Sequence, residues 1–111
     1  PIPLSGLRVL ILEETSQRQS LPPSQVAILT STEVRAALKS KCAKGSDGSP
    51  EFRFFDVDAD VSLQEKHWQE AMKLSRQSLP WIVIADGPQG YQGPLPATIQ
   101  DTLALIAKFG A

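Results

Sequence analysis

Two short apolar runs constrain this chain more than anything else in it. Leu7 to Leu12 reads LRVLIL and Trp81 to Ala85 reads WIVIA. A strand with one face in water alternates apolar and polar residues. A short, branched, nearly continuous run is instead a strand covered on both faces. Covering both faces of a sheet takes a layer of helices on each side, so the runs predict an α/β domain.

The rest of the chain supplies the other elements. Glu13 to Ser24 is polar, has no period and contains Pro22 and Pro23; it reads as a long loop, with Pro23 opening a short helical turn through Val26 to Leu29. Thr30-Ser31-Thr32-Glu33 has capping-box spacing, and Val34, Ala37, Leu38 and Cys42 then recur at helical intervals. Gly45 to Pro50 is a turn-rich connector, and Glu51 to Val57 (EFRFFDV) a second strand. Ser62-Leu63-Gln64-Glu65 repeats the capping-box spacing before a stripe of Trp68, Ala71, Met72 and Ser75. Asp86 to Gly90 reads as a hairpin connector, and Tyr91 to Gly93 as a short edge strand because Pro94 cannot donate to a ladder. Pro96 opens a last amphipathic helix through Ile99, Leu103, Ile106 and Phe109, with Gly110 as its cap.

Composition narrows the function classes. The length of 111 residues fits one domain spanning 1–111, and 41% hydrophobic with 21% charged residues is globular composition. A net charge of −1 excludes a strongly basic nucleic-acid binder and a polybasic membrane adherer. No apolar run approaches the roughly 18 residues of a membrane span. One Cys excludes an internal disulfide, and with one His it excludes a dense Cys/His zinc site. A chain beginning at Pro1 reads as a trimmed mature chain or a segment of a longer protein. A removed leader would leave no trace, so the compartment stays open, the lone Cys tilting only toward a reducing, cytoplasmic one.

Each candidate for chemistry has a plainer reading beside it. Asp56, Asp58 and Asp60 alternate at the end of the second strand, so three carboxylates could converge on a hard cation. A calcium loop is excluded, since its sixth position is Val61 and its twelfth His67; the plainer reading is a solvated turn. His67 stands near Glu65 and Glu70, but with no second His a zinc triad would have to be completed by carboxylates or the Cys. A solvated or packing role is the plainer one. Ser16, Ser20 and Ser24 lie in no nucleophile elbow, and Gly87, Gly90 and Gly93 are followed by no Lys-Ser/Thr, which makes them hairpin residues rather than a phosphate loop. Trp68, Trp81 and Tyr91 are the large amphipathic rings, and Trp81 is either core or an exposed anchor.

In the order of its elements the chain resembles the thioredoxin-like fold. Three stretches carry the resemblance: Phe54-Phe55-Asp56-Val57-Asp58, similar to the family's second central strand; Leu79-Pro80-Trp81-Ile82-Val83-Ile84, similar to its cis-proline loop and third strand; and the Asp86–Gly93 hairpin with its closing helix. The resemblance implies a four-stranded mixed sheet flanked by helices, ending in a β-hairpin and a helix. Redox-active members carry Cys-x-x-Cys where the first helix starts, and here Glu13 to Ser31 holds no Cys. Cys42 lies at the other end of that helix, where the dipole does not activate a thiol.

The expectation is therefore a redox-inactive binding or assembly module, with a protein or peptide as partner, no cofactor, and self-association compatible with it. The resemblance implies a peptide-holding face at Leu79, Pro80, Trp81 and Gly93, flanked by the Glu13–Pro23 loop with Glu14. The alternatives are an enzyme of another class using the Asp56, Asp58 and Asp60 carboxylates, a structural domain of a larger protein, and a redox role for Cys42.

Overall fold

The computed structural model describes residues 6–45, 48–73, 78–87 and 89–109. Strand β1 (Leu7–Glu13) is followed by a 3-10 helix (Thr15–Ser20), then by helices α1 (Pro23–Thr30) and α2 (Thr32–Lys41). Strand β2 (Phe52–Asp56), helix α3 (Lys66–Met72), the hairpin of β3 (Trp81–Asp86) and β4 (Gln89–Pro94), and helix α4 (Ile99–Phe109) complete the chain.

The four strands form one mixed sheet in the order β2-β1-β3-β4. β1 pairs with β2 in parallel, Val9 opposite Phe52 and Glu13 opposite Asp56. On its other side β1 pairs antiparallel with β3, Leu12 opposite Trp81, and β3 pairs antiparallel with β4, Ile82 opposite Gly93. All seven residues of β1 are buried, as expected of a central strand without alternation.

The pleat sorts these side chains into two cores. Val9, Ile11, Ile82 and Ile84 face α1, α2 and α4, where Ile28, Leu29, Val34, Leu38 and Ile106 pack on them. Leu10, Leu12, Trp81, Val83 and Ala85 face the other way, onto Trp68 and Ala71 of α3. The result is three layers, helices on both sides of the sheet. Among the described residues, no helix is long and apolar enough to cross a membrane.

Local chemistry explains the element ends, and in several places it differs from the sequence expectation. The polar stretch after β1 is not all loop: Thr15–Ser20 winds into a 3-10 helix, and Glu14 accepts from the Ser16 amide and hydroxyl at its start. Ser31, not Thr30, caps α2, its hydroxyl accepting from the Val34 amide at 3.1 Å. The same residue ends α1, its amide donating to Ile28, so one extended serine breaks a long helical stretch in two. Ser62 caps nothing: α3 starts at Lys66 with Glu65 at its N-cap and no side-chain cap. The competing local bond is from the Ser62 amide to Asp60 Oδ1 at 3.0 Å, which holds that segment in a turn. Gln89 and Gly90 belong to β4 rather than to the connector, because Asp86 pairs with Gln89; Gly87, just past β3, takes a φ of +61° that suits glycine. The last helix begins at Ile99 rather than at Pro96; Thr98 caps it, accepting from the Asp101 amide at 3.1 Å. The expectations for Ser75 and Gly110 lie outside the described residues.

Candidate functional site

Strand directions bring the anticipated face together. β1, β2 and β4 end where β3 begins, so Glu14, Asp56, the Leu79–Pro80 segment and Gly93 share one end of the sheet. The Leu79–Pro80 peptide bond is cis. The Leu95 amide donates to the Pro80 carbonyl at 3.0 Å, carrying the hairpin ladder one step past Trp81. Among the described residues none hydrogen-bonds the backbone of Leu79, whose side chain is half-buried against the α3-side core.

Trp81 resolves as core. Only 6% of it is exposed, it packs with Leu10, Leu12, Trp68 and Val83, and its indole N–H donates to Gln92 Oε1 at 3.4 Å. It stands on a strand residue that faces α3, so its ring cannot also face a ligand. Pro80 is buried as well. Gly93 is buried beneath Tyr91: a Cβ there would come within 2.6 Å of the tyrosine hydroxyl. Tyr91, 39% exposed, is therefore the accessible ring near this end, and its other side rests toward Phe109 at 6.4 Å between centroids. The sequence signal was available, since an aromatic residue on a short edge strand has only one sheet neighbour to cover it.

The three aspartates do not converge as a set. Asp56 and Asp58 come together with Glu14, one oxygen of each lying within 4.8 Å of the others, while Asp60 turns away to hold Ser62. That backbone bond keeps the exposed Asp60 carboxyl below the usual carboxylate range. Asp56 Oδ1 accepts from the Asp58 amide at 2.8 Å, so part of the cluster is the geometry of a tight turn. The carboxylates do not alternate onto one face because the strand ends at Asp56, and the two-residue period ends with it.

Cys42 is 5% exposed at the C-cap of α2, beside the start of β1, since the Ala43 amide donates to the Leu7 carbonyl. That is the end of β1 opposite the candidate face. Burial, with the Glu51 carboxylate adding to it, pushes its pKa up to about 12. A thiol held this way is not a nucleophile near neutral pH.

A second polar cluster, absent from the sequence reading, lies at that same far end, under α3. Glu51, 1% exposed, precedes β2, and its amide and carbonyl bond Ala43 and Val9. Its Oε1 accepts from Arg8 Nε at 3.3 Å and lies 3.1 Å from His67 Nε2; Arg53 Nη2 is 3.7 Å from Oε2. Arg53 also lies over the Trp68 ring at 4.9 Å. Among the described residues, none hydrogen-bonds His67 Nε2, Glu51 Oε2 or the Trp68 indole nitrogen.

Comparison of the chain with family models, with curated proteins and with solved structures found no match.

Proposed function

We propose that the chain is a redox-inactive, thioredoxin-like binding module that holds an extended peptide at the Leu79–Pro80 end of its sheet. The observation that carries the reading is the main chain of Leu79, whose amide and carbonyl no described residue hydrogen-bonds, at the one sheet end where Glu14 and the Tyr91–Gly93 edge also stand. Extended peptides are recognised through main-chain hydrogen bonds of this kind, with side-chain contacts adding specificity. The sheet order and the cis bond at Leu79–Pro80 are compatible with a thioredoxin-like relationship. Tyr91 supplies the exposed ring in place of the buried Trp81. Thiol exchange has no part in it, because Cys42 lies buried at the opposite end.

The test is selection of unstructured peptides from a displayed library against the full chain, followed by amide-shift mapping of the best binder. The reading expects the largest shifts at Leu79, Glu14 and Gly93. It also expects Tyr91→Ala, which removes the exposed ring beside that end, to weaken the binder by at least about tenfold. Shifts confined to another surface, or a library without binders, would overturn it.

One observation favours a second reading, an enzyme that uses carboxylates. Glu14, Asp56 and Asp58 present three oxygens at the same end of the sheet. Asp60 is replaced by Glu14 in that set.

A further inference from the structure

We propose that Glu51, Glu65 and His67 form a binding site for a divalent transition-metal ion of the zinc type, with one coordination position left open. The three residues come from two places in the chain: Glu51 from the residue before β2, Glu65 and His67 from the N-cap and first turn of α3. One ligand atom from each lies within 4.8 Å of the others. Bonds of about 2.0–2.2 Å around a tetrahedral zinc ion place ligand atoms roughly 3.3–3.5 Å apart. The 3.1 Å between His67 Nε2 and Glu51 Oε1 is close to that separation, and Glu65, which is exposed, is free to swing inward.

The independent observation is the imidazole. Its side chain is 8% exposed, its Nε2 points into the cluster, and among the described residues that atom has no hydrogen-bond partner although a carboxylate oxygen stands 3.1 Å away. At that distance a hydrogen bond is missing either because the atoms are misaligned or because Nε2 carries no proton and faces the oxygen as a second acceptor. A metal bridge has this geometry by construction, because nitrogen and oxygen each aim at the ion rather than at one another. Glu51 Oε2 is likewise buried without a hydrogen bond.

The neighbours select the kind of ion. Arg8 at 3.3 Å and Arg53 at 3.7 Å offset the charge of the Glu51 carboxylate. Calcium and magnesium depend on several unneutralised oxygens and would gain little here. An ion that bonds a neutral imidazole nitrogen loses less to that neutralisation, because the nitrogen bond does not draw on ligand charge. The two guanidiniums then orient the carboxylate, as outer-shell partners of metal ligands do.

The test is calorimetric titration of zinc chloride into the untagged full chain, with cobalt(II) absorption as the coordination signature. One equivalent should bind, with the intense visible bands of low-coordinate cobalt. Glu65→Gln and His67→Gln should each weaken binding by at least about tenfold, since even outer-shell changes cost 10–100-fold. Glu65 is exposed, so its loss is not a folding effect, and far-ultraviolet dichroism checks this for both variants. Asp58→Asn, in the other acidic cluster, should leave binding unchanged. The proposal is overturned by absence of zinc binding, by binding indifferent to both variants, or by equal loss in Asp58→Asn.

Discussion

Arg8 and Glu51, 43 residues apart in sequence, meet at 3.3 Å beneath α3 with their side chains 10% and 2% exposed. The parallel register creates this contact: Val9 lies opposite Phe52, and Arg8 and Glu51 are the residues just before them on the α3 side. Removing one member of a buried pair leaves a charge without its counterpart. Glu51→Leu should therefore cost about 3–5 kcal/mol in urea denaturation. Arg8→Met combined with Glu51→Leu should cost clearly less, because no uncompensated charge remains at Arg8 and Arg53 is part-exposed. Equal losses in the single and double variants would contradict this account.

The Cys42 thiol should react slowly. A shift from 9.0 to about 12 lowers the thiolate fraction near neutral pH by roughly a thousandfold. Alkylation of the native chain at pH 8 should thus lag far behind alkylation in denaturant, and comparable rates would show the thiol to be accessible.

The same shift has a consequence for stability. The unfolded thiol ionises near its ordinary value and the folded one only near 12, so the unfolded chain binds fewer protons between these limits. The stabilisation is complete below pH 9 and is lost as pH rises toward 12. Denaturation midpoints measured across this window should fall less steeply for Cys42→Ala than for the native chain.

Both tryptophans should be silent to external quenchers. Trp68 is fully buried and Trp81 is 6% exposed. Native emission should be blue-shifted and little affected by iodide, with both properties changing on unfolding. Strong quenching of the folded chain would restore Trp81 as a surface anchor.

Ser31→Ala should destabilise the fold by about 1 kcal/mol without altering peptide or zinc binding. The serine hydroxyl satisfies the Val34 amide at the start of α2 and touches neither candidate site. Thermal denaturation checks the first expectation and the two titrations the second.

Sequence by itself determined what depends on near neighbours. The unalternating runs at Leu7–Leu12 and Trp81–Ala85 became the buried strands β1 and β3, and the stripe of Ile99, Leu103 and Ile106 became α4. Periodicity and turn residues act over one element, so they are readable without a fold. Element ends were less legible, since neighbouring side chains offer rival local bonds: Asp60 holds the Ser62 amide in a turn, and Ser31 takes the Val34 amide while the Thr30 hydroxyl bonds back to Val26 and Ala27. Tertiary structure alone decided the sites. It buried Trp81, exchanged Asp60 for Glu14 and brought Arg8, Glu51 and His67 together across two crossovers. These outcomes follow from strand register, which sets the face and the partner of every side chain and is fixed by packing of the whole sheet rather than by any local spacing.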